Sequence, residues 1–342
     1  METKYLEQAR IVKLEQQTIR ETFHVIQCLG GDATGFLDEW EVNLKSILLN
    51  APLDYNLNIH IICDEKACSA VEHRLIAASL NSTKWRNEIA IHVKNVEKKI
   101  EEKEKIIQDV LVKAGATFDK RIGIGGYLRL FAPDFIFQYA NDIGLSTALY
   151  VDTDVVILSN LNGLIRSVKE NTNHTFTWRE NSGFLVMNCF KFQNVFQLLN
   201  SVNFTNAKKG RNGSMSDQHM LVVFQENFPD LVGYLPMEWY NHIGHGYRAK
   251  PQMLVQKANV GYLHFTGFGT GESYFSDQGL IKFCERGGRC QPTIQSHIID
   301  FQKSWGLADY YIRIPWSWVI FQGGTSRINP KEKEHSLTVV FQ

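Results

Sequence analysis

Thr147-Ala148-Leu149-Tyr150-Val151-Asp152-Thr153-Asp154-Val155-Val156-Ile157-Leu158 is an apolar, β-forming run broken only by two aspartates. Apolar residues on both sides of the carboxylates mark it as a buried strand. Residues two apart on a strand share a face, and burying both charges there without a partner costs several kcal/mol. The pair therefore belongs at the strand's end. There the chain can turn and both carboxylates can converge on one hard cation, whose charge removes their mutual repulsion.

The same grammar recurs upstream. Phe23-His24-Val25-Ile26-Gln27-Cys28-Leu29 ends at Gly30-Gly31-Asp32 and leads into a helical segment, Phe36 to Leu49. Ile59-His60-Ile61-Ile62-Cys63 ends at Asp64 and leads into another. Strand, turn and helix in repeated order predict an α/β fold with a mostly parallel sheet flanked by helices. In such sheets ligands gather at the carboxyl ends of the strands, so Asp152 and Asp154 are expected beside the Gly30–Asp32 turn and Asp64.

Between Trp85 and Lys113, Ile89, Val93, Val96, Ile100, Ile107 and Leu111 recur three, four or seven apart, which predicts one amphipathic helix with a single buried stripe. Gly123-Ile124-Gly125-Gly126 lacks the lysine and hydroxyl of a phosphate loop and reads as a helix entry, with Pro133 marking the break. Further on, Asn181-Ser182-Gly183 precedes an apolar strand from Phe184 to Asn188. Ser216-Asp217-Gln218 opens a helix, and Gly261 to Phe265 is a short strand running into Gly267-Phe268-Gly269-Thr270-Gly271.

Composition narrows the function classes. The chain has 342 residues, 44% of them hydrophobic, enough for one large core or two modest ones. Lysine plus arginine equals aspartate plus glutamate at 36 each, so no global positive field draws nucleic acid or membrane, and an anionic ligand needs a local site. No run approaches the roughly 20 apolar residues of a membrane span, and the first 22 residues are too charged for a secretory signal. Asn-x-Ser/Thr sequons stand at Asn81, Asn173, Asn203 and Asn212. Cys284 and Cys290 bracket a Gly-rich loop that a disulfide could close, or remain two thiols. His60, Cys63, Cys68 and His73 lack the C-x-x-C knuckle of a zinc site, and Cys63 reads as a core cysteine.

Four motifs in order, Tyr150-Val151-Asp152-Thr153-Asp154-Val155, Asn181-Ser182-Gly183-Phe184, Asp217-Gln218 and Leu263-His264-Phe265-Thr266-Gly267, resemble glycosyltransferase family 8. Its members include glycogenin, bacterial galactosyltransferases and animal glucoside xylosyltransferases. The likeness runs from Phe23 to about Tyr274. It implies a GT-A fold, a UDP-sugar donor, a carbohydrate or glycoprotein acceptor, and transfer with retention of configuration. It also implies Mn2+, or Mg2+, held by Asp152, Asp154 and His264; an imidazole beside two carboxylates favours manganese. By the same likeness Arg129, Asn181 and Ser182 would bind the donor, Asp217 and Gln218 would face the reacting sugar, and Cys28, Gly30 and Asp32 would line the nucleotide.

Two departures stand out. Many members carry an acidic residue where Gly30 or Gly31 stands, and a phosphate-binding lysine in the loop after His264. Here that loop has none, and the amides of Gly267 and Gly269 are expected to cradle the diphosphate instead. The implied organisation is an N-terminal helix or tail over 1–22, a catalytic domain over 23–293 and an aromatic-rich extension over 294–342. A Golgi or secretory lumen is the expected compartment if an anchor precedes the chain, and the cytoplasm otherwise. The rival readings are a haloacid-dehalogenase-like phosphatase, which also uses D-x-D but continues it to threonine where Val156 stands, and a catalytically silent carbohydrate-binding protein.

Overall fold

A computed structural model describes residues 21–51, 55–78, 89–119, 122–136, 147–169, 173–179, 181–204, 207, 209–235, 242–244, 261–266, 311–317 and 319. The N-terminal tail, the Gly267–Gly271 loop, the Cys284/Cys290 pair, Trp239 to Asn241 and most of the aromatic extension lie outside these residues.

The leading unit is strand β1 (Thr22–Leu29), helix α1 (Thr34–Leu49), β2 (Asn56–Cys63), α2 (Glu65–Ala77), β3 (Ile89–Asn95) and α3 (Glu97–Ala114). The chain goes on through the two-residue β4 (Thr117–Phe118), α4 (Gly123–Leu128), a 3-10 turn Arg129–Phe131 and α5 (Ala132–Ile136). Next come β5 (Thr147–Val151), β6 (Val155–Ile157), α6 (Asn162–Lys169), β7 (Phe176–Trp178), β8 (Phe184–Asn188), α7 (Cys189–Phe192) and α8 (Val195–Ser201). The last are β9 (Ser214–Met215), α9 (Asp217–Asn227), β10 (Val232–Tyr234), β11 (His242–Gly244) and β12 (Tyr262–Thr266).

The central sheet has seven strands in the order β10-β7-β8-β5-β1-β2-β3. β8 alone runs against the others. Successive residues of a strand point to opposite faces, and each face buries its own core. Val25, Ile59, Ile61 and Leu149 pack with α1 and α2, while Ile26, Ile62, Ala148 and Tyr150 pack with α3, α4, α5 and α9. A second sheet, β11-β12-β6, begins where the long apolar run leaves the first. That run is thus two strands in two sheets, with the aspartates at the break between them.

The helix expected from Trp85 to Lys113 is not one helix. Ile89–Asn95 is β3, paired in parallel with β2 from Leu57↔Ile89 to Cys63↔Asn95, and only Glu97–Ala114 is helical. Ile89 and Val93 are four apart and so fit a helical stripe, but with Ile91 they also fit a strand's alternation, and the free edge of β2 selects the strand. Pro133 is the second residue of α5 and starts a helix where a break was expected.

Cys63 and Cys68 form a disulfide, Cα to Cα 5.3 Å, and are neither core thiols nor zinc ligands. The chain turns from strand to helix between them, so residues five apart meet. At that turn Asp64 caps α2 by accepting from the Ala67 N–H at 2.8 Å, and its other oxygen accepts from the Gly31 N–H at 2.6 Å. Two polar side chains of α1, and that of its C-cap residue Asn50, hold β6 in turn. Asn43 donates to the Val155 carbonyl, Ser46 Oγ accepts from the Ile157 N–H at 3.0 Å, and Asn50 donates to the Ile157 carbonyl at 3.0 Å. Asn50 also meets the Tyr311 hydroxyl at 3.0 Å, and the Trp316 indole donates to Glu41. No helix among the described residues is long and apolar enough to cross a membrane.

Candidate active site

Three backbone features bring Asp152, Asp154 and His264 together. Asp152 follows the last residue of β5, and its N–H donates to the Gly183 carbonyl at 2.8 Å. Asp154 immediately precedes β6, and β12 pairs antiparallel with β6 so that His264 lies opposite Val155. His264 Nε2 then stands 3.1 Å from Asp154 Oδ1 and 4.0 Å from Asp152 Oδ2. One ligand atom from each residue lies within 4.8 Å of the others. Two carboxylates and an imidazole in that arrangement can hold a divalent cation.

Gly183 makes the room. A Cβ at that position would lie 2.1 Å from His264 Cε1 and 2.6 Å from Asp152 Oδ2, so no side chain fits without moving the cluster. Asn181 fixes the turn by accepting from the Gly183 N–H at 2.7 Å.

Beside this centre lies Arg129, buried to 8% exposure at the start of the 3-10 turn. Its Nη1 donates to Asp152 Oδ2 at 2.9 Å and to Ser182 Oγ at 3.1 Å, while Nε pairs with Asp217 Oδ2 at 3.1 Å and donates to the Gly126 carbonyl at 2.7 Å. The guanidinium also stacks 5.0 Å from the centre of the Tyr150 ring. Burial works against its charge, but Asp152 and Asp217 overcome that and hold its pKa well above the ordinary value. Burial raises the Asp217 carboxyl, while Arg129, a hydrogen bond from Ser182 and the Gln218 N–H pull it back. Asp217 and Gln218 open α9 behind the N-cap Ser216, whose side chain accepts from the His219 N–H.

Cys28 belongs to the same neighbourhood. Burial pushes its thiol pKa up, with Arg129 opposing and Asp152 adding to the shift. Gly30 lies against α4, where a Cβ would meet Gly125 Cα at 3.3 Å. Asp32 is exposed and, among the described residues, makes no hydrogen bond to the acidic cluster. The geometry thus gathers Asp152, Asp154, His264, Arg129, Asn181, Ser182 and Asp217, with Gln218 and Cys28 adjacent; it does not bring Asp32 into that network. Sequence reasoning missed Tyr150, whose hydroxyl donates to Asp152 Oδ1 at 2.5 Å. Its position two residues before Asp152 in an extended run was the available signal.

No family model matches the chain, and no curated protein matches its sequence. Solved structures do match in fold. Mouse xyloside xylosyltransferase 1, in its apo form, superposes with a TM-score of 0.52 at 12% identity, covering 71% of this chain and 97% of that one. The galactosyltransferase LgtC, in complex with donor and acceptor sugar analogues, superposes with a TM-score of 0.50 at 14% identity, covering 86% of this chain and 99% of that one. The chain has the fold of these glycosyltransferases, the GT-A arrangement expected from its motifs. At such identities the likeness is one of fold, and the chemistry has to be argued from this chain's own residues.

Proposed function

We propose that the protein is a retaining glycosyltransferase of the family 8 kind, moving a sugar from a UDP-sugar to a hydroxyl of a carbohydrate or glycoprotein acceptor. The observation that carries the reading is the convergence of Asp152, Asp154 and His264 where β5 ends and β6 begins, in a GT-A sheet. These three would hold Mn2+ or Mg2+. A cation bound there supplies positive charge against the diphosphate as the sugar–oxygen bond breaks.

The remaining residues bind and orient. Arg129, with its planar fork already fixed between Asp152 and Asp217, and Ser182 present donors to phosphate or sugar oxygens. Asn181 shapes the turn that keeps Gly183 open to the centre. Asp217 and Gln218, at the first turn of α9, face the reacting sugar in this reading. An amide is a feeble nucleophile, so we favour front-face substitution, in which the acceptor's proton passes to the leaving phosphate, over a covalent intermediate on Gln218. Cys28 and Gly30 would line the nucleotide, and the amides of Gly267 and Gly269 would take the place of the family's lysine. The buried Cys63–Cys68 disulfide supports an oxidising compartment such as the secretory lumen.

The fold favours this reading over the phosphatase, and the Arg129–Asp152 ion pair leaves Asp152 poorly placed as a nucleophile. A thermal-shift panel of nucleotide sugars, each with and without Mn2+, tests it. One or more UDP-sugars are expected to raise the melting temperature only with metal; a panel in which none does, alongside release of phosphate from simple phosphomonoesters, would reverse the assignment.

A further inference from the structure

Tyr150 touches the acidic centre without belonging to its ligand set. It is 1% exposed, on the penultimate position of β5, and it makes two contacts of different kinds. Its hydroxyl donates to Asp152 Oδ1 at 2.5 Å, and its ring carries the Arg129 guanidinium, 5.0 Å from the ring centre. Asp152 is thereby held at both oxygens, Oδ1 by Tyr150 and Oδ2 by Arg129 at 2.9 Å, with Oδ2 also 4.0 Å from His264 Nε2. Gripped at both oxygens, the carboxylate has one rotation about its own axis, and Oδ2 stays aimed at the partners it faces.

We propose that Tyr150 is a positioning residue for the divalent-cation centre, its hydroxyl fixing the rotation of the Asp152 carboxylate. The inference rests on the metal-site reading given above. The ring and the hydroxyl have separable tasks: the ring seats Arg129, and the hydroxyl seats Asp152. Among the described residues no other hydrogen bond reaches Asp152 Oδ1, so loss of the hydroxyl frees that oxygen while leaving the ring beneath Arg129.

The test is binding of Mn2+ alone, followed through the paramagnetic resonance of the free ion, for the parent, Tyr150→Phe, Asp152→Asn, the double variant and Asp154→Asn. Tyr150→Phe is expected to weaken Mn2+ binding about tenfold, the low end of the effect of such supporting hydrogen bonds. In the Asp152→Asn background the same change should add almost nothing, because the two side chains act through one bond. A structural role would instead lower the melting temperature of the metal-free protein and add its effect on Mn2+ in both backgrounds. Asp154→Asn separates the two levels of the argument. If it weakens Mn2+ binding while Tyr150→Phe does not, the positioning role is wrong and the metal site stands; if it leaves Mn2+ binding intact, the metal site itself is wrong.

Discussion

One row across the central sheet runs Tyr150, Ile26, His60, His92, side by side on β5, β1, β2 and β3, and its two ends bury polar groups by opposite means. At the Tyr150 end the buried Arg129 pairs with Asp152 at 2.9 Å and with Asp217 at 3.1 Å. At the other end His24, His60 and His92 stack with ring centres 5.2 and 5.1 Å apart, and His24 Nδ1 lies 2.9 Å from His60 Nε2. Burial lowers the His24 pKa to about 4, with His92 adding to it, and lowers His60 to about 3, with His24, His92 and Lys94 adding. Burial lowers that of His92 as well. The difference teaches that one end of the face answers burial with ion pairs and the other with histidine pKa values lowered by desolvation.

Breaking the charged end should have the largest effect. Arg129→Ala leaves the buried Asp217 carboxylate and its neighbour Asp152 without their counter-ion, and is expected to cost about 3–5 kcal/mol in urea unfolding. Arg129→Met should cost nearly as much, since shape without charge does not rescue; a loss under ~1 kcal/mol would show that the cluster is solvated and the contrast false.

The neutral end sets the acid limit. His24 and His60 have folded pKa values below the unfolded value of 6.5, so their contribution is complete above pH 6.5. It is lost as pH falls from there toward about 4 and about 3, because the unfolded chain takes up protons that the fold refuses. The expected slope is about 1.4 kcal/mol per pH unit for each histidine. Replacing both, His24→Leu/His60→Leu, removes both partners of one hydrogen bond and should flatten unfolding stability between pH 6.5 and 4.5. An unchanged slope would move the acid sensitivity elsewhere.

A subtler change sharpens the charged end. Gly183→Ala pushes a methyl group against His264 and Asp152, and should weaken Mn2+ binding by tenfold or more, about 1.4 kcal/mol, with little change in far-ultraviolet circular dichroism. Equal affinity in the two proteins would mean that the cluster relaxes freely.

How much of this was legible follows the same division. The charged centre was readable because a buried strand cannot end in two carboxylates without a reason, and because four ordered motifs named its partners. Asp152, Asp154 and His264 do come within 4.8 Å of one another. The run that announced them was nonetheless two strands in two sheets, since nothing local says where a β-forming run changes partners. β3 was misread for the related reason that Ile89, Ile91 and Val93 satisfy both periods until β2 offers an edge. The Cys63–Cys68 bond was hidden by a strand-to-helix turn that shortens a five-residue spacing to 5.3 Å. The histidine row could not be read at all, because it exists only through the register of three strands.

The centre's purpose is tested most directly by calorimetric titration of UDP into the parent and into Asp154→Asn, each with and without Mn2+. The parent should bind UDP at least tenfold more tightly with Mn2+ than without, and the variant should show no such gain. Equal enhancement by Mn2+ in both proteins would contradict a cation held between Asp152, Asp154 and His264.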